Sequence, residues 1–302
     1  MISRNIIINA AKEVGFDLVG IVPSEHLHEQ HNRFNEWLLA GNASTLDYLS
    51  RNIEKRFDAS LLVEGSRCII ICAISYLSPY SRGYEEGCST KVASYALARD
   101  YHVTIKEMLN TLAGMLKQHC PTLRYRAFTD SAPLAEKSYA ARAGLGWIGR
   151  NSLLVTPEHG SMLHLGELVI DQDVDLYDTP MEGVGCGECR RCIEACPNGA
   201  ILENRTIDTR RCISCRTIER ENEGATVELD GWIFGCDACQ SVCPYNRKAP
   251  LHKHPLFDPL FDPTTLDKEA WLNMSEEEFQ TMAGATAMTR AGVARIKNNI
   301  KR

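Results

Sequence analysis

The sequence predicts an α+β protein: a larger α/β domain over residues 1–175, a bacterial ferredoxin-like module over residues 176–249, and a C-terminal wrap with a basic helical tail over residues 250–302. Three observations lead there. Of 13 cysteines, all but four crowd between Cys186 and Cys243. Upstream of them, apolar runs at strand spacing and helix spacing follow one another. Between the two lies an acidic, loop-like stretch from Asp171 to Gly185, where the boundary is placed.

The totals permit this division. A chain of 302 residues has room for one large domain and a smaller one. Its 44% hydrophobic and 24% charged residues are ordinary for a globular protein. No apolar run approaches the roughly 20 residues of a membrane span. The first residues fail as an export signal, because Lys12 and Glu13 break the apolar stretch and no small-residue cleavage site follows. The expectation is a cytoplasmic protein with no membrane partner, and a monomer. A net charge of −6 does not mark the whole molecule as a nucleic-acid binder. The C-terminus differs, with Arg290, Arg295, Lys297, Lys301 and Arg302 and no acidic residue among them. That stretch reads either as a solvated helix end or as a local phosphate contact.

In chain order, Ile6, Ile7, Ala10, Ala11 and Val14 recur at helical spacing and predict a first helix with one buried face. Cys68–Leu77 is a near-continuous, partly β-branched apolar run, which fits a strand buried on both sides. Ala127–Thr129 is a short strand leading into Asp130. Leu134–Ala143 reads as a helix with Pro133 in its first turn. Gly144, Gly146 and Gly149 have dinucleotide-loop spacing but follow a helix, so they read as a tight cofactor-side loop. Leu165–Ile170 is a further strand. Pro250–Pro263 predicts an extended wrap, and helices over Asp267–Ala283 and Thr289–Asn299 close the chain.

The cysteines carry the chemistry. An odd number without an export signal argues for metal rather than disulfides. Cys186-x2-Cys189-x2-Cys192-x3-Cys196-Pro197 is the bacterial ferredoxin run, in which three thiolates hold one cubane and the fourth reaches the other. Cys236-x2-Cys239-x3-Cys243-Pro244 is the last part of a second run whose leading position is Ile233. Cys212 is the natural replacement. One [4Fe–4S] cluster then takes Cys186, Cys189, Cys192 and Cys243; the other takes Cys196, Cys212, Cys236 and Cys239. Cys215 could stand in for Cys212, and zinc is the alternative metal, although zinc sites favour separated CxxC pairs. Cys68 and Cys72 read as small core residues.

Two cubanes alone need only about 60 residues, so the upstream domain is expected to bind what they reduce. No Walker motif, Rossmann fingerprint or HExxH helix names it. Here the residues carry a resemblance. Thr129–Pro133, the run from Tyr139 to Asn151, Tyr95–Ala96 through Arg99–His102, and the displaced Cys212 with Ile233–Asp237 are similar to the epoxyqueuosine reductase family. The likeness runs from the first helix to the basic tail. It implies a larger cobalamin-binding domain related to that of reductive dehalogenases, beside two [4Fe–4S] clusters. It implies reduction of epoxyqueuosine to queuosine at the wobble position of tRNA, with the anticodon stem-loop as partner and a reductase or a flavodoxin or ferredoxin as electron donor.

Through the same resemblance Asp130 becomes the proton donor, a role that calls for a raised pKa. From the residues alone Asp130 would cap the helix near Pro133; with the acid role assigned, Ser131 takes the cap. Asp100 and His102 form an acidic–imidazole pair, structural or cofactor-positioning. Cobalamin contacts are expected from Arg56, Arg142, Asn151, Ser214 and Asp237. The chain departs from the family in carrying Cys215 where an aromatic is usual, and the expectation is a short form without the C-terminal helical-repeat domain of many members. Two other functions compete: a related corrinoid reductase of a small molecule, and a ferredoxin-type electron carrier.

Overall fold

The computed structural model describes residues 1–219 and 227–301; Arg302 of the basic tail lies outside the described residues. The apolar run beginning at Cys68 becomes the spine of an antiparallel sheet. In chain order the strands are β1 (Leu18–Pro23), β2 (Cys68–Ser75), β3 (Lys91–Val92), β4 (Tyr125–Phe128), β5 (Trp147–Ile148), β6 (Leu154–Val155), β7 (Leu163–Ile170) and β8 (Trp232–Phe234). The main sheet has the order β1-β2-β7-β4. Every residue of β2 is buried, and its alternation sorts two cores. Cys68, Ile70, Cys72 and Ile74 face one; Ile69, Ile71 and Ala73 face the other.

Helices cover both faces, which explains a continuous apolar strand in an antiparallel sheet. They begin with α1 (Arg4–Val14), α2 (His28–Leu39), α3 (Ile53–Phe57), α4 (Tyr101–His119) and α5 (Glu136–Arg142). On the first face, α1 supplies Ile7, Ala10 and Ala11, while α4 supplies Ile105, Leu109, Leu112 and Leu116. On the second, α5 supplies Tyr139 and Ala140 beside Phe57 at the end of α3. The expected first helix is present, and it stops at Gly15, whose φ of 108° closes the last turn onto Ala11 and Lys12. Helix α4, the central support of the site, was not foreseen.

Short helices organise the cysteine segment: α6 (Arg191–Glu194), α7 (Ile213–Ile218), α8 (Ala238–Ser241) and α9 (Pro244–Lys248). That segment is stitched to the larger domain by a parallel pairing of β3 with β8. Residues 250–263 then run largely extended, with His252 N–H bonded to Leu77 and Leu260 N–H to Leu97. Phe257 from this stretch is buried in the first core.

The chain closes with α10 (Lys268–Asn273), α11 (Glu276–Ala283) and α12 (Gly292–Ile300). The single helix expected over Asp267–Ala283 is thus two. Met274 is extended, and Ser275 with Glu278 builds a capping box that starts a new helix. The helix expected over Thr289–Asn299 likewise splits into a 3-10 turn and α12, separated at Ala291–Gly292. Asn299 of α12 is buried and donates to Thr217 and Ile233 carbonyls at 3.1 and 2.9 Å, pinning the end of the chain to the cysteine segment. Among the described residues no helix is long and apolar enough to cross a membrane.

Candidate active site

The strand β4 runs into Thr129, whose hydroxyl is tied to Leu165 on β7 at 2.8 Å. The next residue, Asp130, has a φ of 47°, a left-handed backbone that costs an aspartate little but still needs holding. Its N–H donates to Glu136 at 2.5 Å, and its carboxylate accepts from the Tyr101 hydroxyl and lies 3.6 Å from His102 Nε2. The capping role of Asp130 is therefore excluded. Helix α5 begins at Glu136 with Ala135 at its N-cap and no side-chain cap bond, so Ser131 does not cap it either.

Asp100 is the cap that the site does contain. Its carboxylate accepts from His102 N–H at 2.9 Å, starting α4, and from His102 Nδ1 at 2.7 Å. One carboxylate thus starts the helix and turns the imidazole so that Nε2 faces Asp130. The two carboxylates push the His102 pKa up to about 9, against the effect of burial, so the ring is an imidazolium at neutral pH. For Asp130, burial pushes the carboxyl up, but hydrogen bonds from His102 and Tyr101 and the charges of His102 and Arg290 outweigh it. The net shift is downward. This corrects the raised value expected of an acid: in this arrangement the proton rests on His102.

Beneath them, His164 is buried, stacked on Tyr101 with ring centroids 4.5 Å apart and 11° between planes. Burial lowers its pKa to about 3, so it is a neutral floor. The cleft above is walled by Tyr95, Tyr101, His102, Ile218, Phe234 and Arg290. Tyr95 connects its walls, with its ring centroid 6.0 Å from that of Tyr101 and 6.3 Å from that of Phe234, and the charges of Asp237 and Asp130 add to burial in raising its pKa. Asp237 is buried between Cys236 and Cys239 and accepts from Ser94 N–H at 2.7 Å, while its other oxygen has no partner among the described residues. Burial raises it to about 6.

The cysteines fall into two neighbourhoods. Cys192 and Cys243 feel Cys186, and Cys243 also feels Cys189. Cys236 feels Cys212 and Cys196, and Cys239 feels Cys236 and Cys212. Cys239 also senses Cys192, so the two sets lie side by side. Backbone N–H groups point at the sulfurs: Ala200 at Cys196 (3.2 Å), Ser214 and Cys215 at Cys212, Ala238 at Cys236, and Tyr245 and Asn246 at Cys243. Such N–H···S bonds favour the thiolate and raise the potential of a cluster held there. Cys215 instead neighbours Tyr48.

The other expected cofactor contacts scatter. Arg56 lies over the Phe34 ring and senses Tyr48, Glu136 and Asp130, with its Nε buried and unpartnered among the described residues. Arg142 pairs with Glu25 at the far end of α5. Asn151 is buried in the β5–β6 turn, where its side chain accepts from Leu153 N–H at 3.4 Å. The glycines around Trp147 serve protein packing: a Cβ on Gly144 would sit 2.4 Å from the Thr179 carbonyl, and one on Gly146 would sit 2.1 Å from that of Val155. Sequence reasoning missed the roles of Tyr101, His164, Glu136 and Glu167. Glu167 left a signal, as a lone carboxylate within the apolar strand LGELVI.

With this geometry in place, comparisons with known proteins are decisive. A family model described as "4Fe-4S double cluster binding domain" matches residues 185–246, and one described as "Epoxyqueuosine reductase QueG, DUF1730" matches residues 56–131. The epoxyqueuosine reductase of Cyclobacterium marinum is 37% identical over 298 residues, covering 98% of this chain and 94% of that protein. The chain belongs to the epoxyqueuosine reductase family. The Escherichia coli K12 epoxyqueuosine reductase is 38% identical over 300 residues, covering 95% of this chain and 77% of that one. A crystal structure of an epoxyqueuosine reductase with an epoxyqueuosine-modified tRNA-Tyr stem loop superposes with a TM-score of 0.87 at 27% identity, covering 98% of this chain and 79% of that one. As an epoxyqueuosine reductase family member the chain is an oxidoreductase with a double-cluster [4Fe–4S] domain.

Proposed function

We propose that this protein reduces epoxyqueuosine to queuosine at the wobble position of a tRNA anticodon stem-loop. The observation that carries the reading is a single cleft lined both by Phe234, two residues before Cys236, and by Tyr101 and His102, which hold Asp130, with the Tyr95 ring against those of Phe234 and Tyr101; an electron source and a proton source thus adjoin the same cleft. Cys186, Cys189, Cys192 and Cys243 hold one cluster; Cys196, Cys212, Cys236 and Cys239 hold the other, nearer the cleft. Asp130 acts as the catalytic acid at the substrate oxygen.

Cobalamin suits the residues present on two counts: the aromatic walls of the cleft suit a flat macrocycle, and outside that lining Asp237 Oδ1 and Arg56 Nε are buried polar atoms without partners among the described residues. Asp237, Arg56 and the Ser214 turn would hold it. When bound, it supplies a strongly nucleophilic reductant for strained carbon. The chain's own residues handle one of the protons, and solvent water supplies the other. Opening and deoxygenating the epoxide consumes two electrons and two protons and releases water. His102, protonated below about pH 9, carries one proton 3.6 Å from Asp130, and Asp130 presents it to the oxygen. Tyr101, bonded to the same carboxylate, fixes its direction.

The electron donor is a reductase or a flavodoxin or ferredoxin, and the enzyme works as a cytoplasmic monomer. Arg290, paired with Glu219 at 2.9 Å at the cleft rim, and the basic tail supply phosphate contacts for the stem-loop. Single-turnover reduction of an epoxyqueuosine stem-loop by wild type and by Asp130→Asn tests the acid role. The variant is expected to bind RNA and cobalamin normally and to form product about 100-fold more slowly or worse. Equal rates would return Asp130 to a binding role.

A further inference from the structure

Behind the catalytic aspartate lies a pair of carboxyls that the reaction scheme does not use. Glu167 sits in the middle of β7, opposite Ile71 and Phe128, with no solvent exposure. Neither of its oxygens has a well-directed hydrogen-bond partner among the described residues. Glu136, at the start of α5, lies against it and reaches forward to the Asp130 N–H at 2.5 Å. Two carboxyls in contact, one wholly buried, do not both ionise, because a second charge there would be uncompensated.

The groups facing the pair do little to relieve it. Glu167 faces Glu136, Asp130 and Cys72; Glu136 also faces His102, Tyr101 and the half-buried Arg56. The cations that face Glu136, namely His102 and Arg56, also face Asp130. Burial, then the negative charge of Asp130, push Glu136 upward, and burial with Glu136 pushes Glu167 further.

We propose that Glu136 and Glu167 are positioning residues that share one proton and together clamp the backbone of Asp130 in its left-handed conformation. The shared proton lets Glu167 fix Glu136 without a second buried charge. Glu136 then holds the Asp130 N–H with its free oxygen. The clamp explains how a residue at a φ of 47° keeps its carboxylate on Tyr101 and His102 rather than relaxing away. It also sets a limit: once the shared proton is lost, two carboxylates and Asp130 repel one another, and the clamp loosens on the alkaline side. This inference rests on the proposed acid role of Asp130.

The test compares Glu136→Ala, Glu136→Gln and wild type, each with full iron content. Glutamine keeps the oxygen that accepts from Asp130 and donates to Glu167 permanently, so it mimics the protonated state. Single-turnover reduction of the epoxyqueuosine stem-loop is followed against pH, beside hydrogen exchange of the peptide carrying the Asp130 amide. Glu136→Ala is expected to lose about 10- to 100-fold in rate and the protection of that amide. Glu136→Gln is expected to keep most of both and to hold the amide protection at alkaline pH where wild type loses it, while the fall in rate set by His102 stays in place. Glutamine as damaging as alanine, or an alanine variant with wild-type protection and pH profile, overturns the proposal. Wild type that fails to reduce the stem-loop while its Asp130 amide is protected only through Glu136 refutes the reaction but not the clamp.

Discussion

Replacing Asp100 by asparagine separates proton supply from architecture. Asparagine caps helices as well as aspartate, so the N-cap bond to His102 N–H and the start of α4 survive. What is lost is the charge beside His102 Nδ1: the hydrogen bond of that ring to the Asp100 carboxylate is first among the causes that raise it to about 9, and a neutral amide oxygen favours the imidazolium less. At pH 8 a group of pKa about 9 is roughly nine-tenths protonated, whereas one at the ordinary value of about 6.5 is about 3% protonated. Asp130 remains on the other face and keeps part of the shift, so the expected loss in single-turnover rate at pH 8 is about 10-fold. At pH 6 the two enzymes should differ less than about twofold. The assay is queuosine formation in an epoxyqueuosine stem-loop, followed from pH 6 to pH 9.5 under anaerobic conditions. An alkaline limb that stays where wild type has it would refute the assignment of the proton to His102. The same raised pKa has a stability sign: its contribution is complete below about pH 6.5 and is lost as pH rises through about 9.

Other expectations are smaller in scope. Cys212→Ser should leave about four irons per chain where wild type holds about eight, whereas Cys215→Ser should keep both clusters; iron analysis and electron paramagnetic resonance decide. Gly146→Ala would drive a Cβ to within 2.1 Å of the Val155 carbonyl, a backbone atom that cannot step aside, and should cost about 1–3 kcal/mol in thermal unfolding. Asn299→Ala leaves the buried Thr217 and Ile233 carbonyls without their donor and should cost about 1–3 kcal/mol, loosening the tail from the cysteine segment before the main sheet unfolds.

The parts of the fold that announce themselves are those with one strong local cause. Cys68–Ser75 reads as a buried strand because every position is apolar or small, and the ferredoxin run reads as cluster ligation because its spacing is rigid. Helix α4 escaped because its first turn, Tyr101–Thr104, mixes aromatic, imidazole and β-branched residues, and its apolar stripe begins only at Ile105. The break at Met274 was legible after all, since Ser275-x-x-Glu278 is a helix-start signature inside a longer apolar pattern. The candidate site was half legible. Asp130 and the Asp100–His102 pair stood out by motif, but the downward shift of Asp130 comes from Tyr101, His102 and Arg290, all distant in the chain, and could not be read from its neighbours in sequence. The same holds for Glu136 and Glu167, brought together only when α5 lies across β7.

The most direct test of the account is conversion itself. Anaerobically reconstituted protein, loaded with both clusters and cobalamin and given a chemical reductant, is mixed with an anticodon stem-loop carrying epoxyqueuosine, and the nucleosides are resolved by mass spectrometry. Queuosine is expected in stoichiometric yield within a single turnover. A protein that binds the stem-loop and cobalamin, holds both clusters reduced, and leaves the epoxide intact would contradict it.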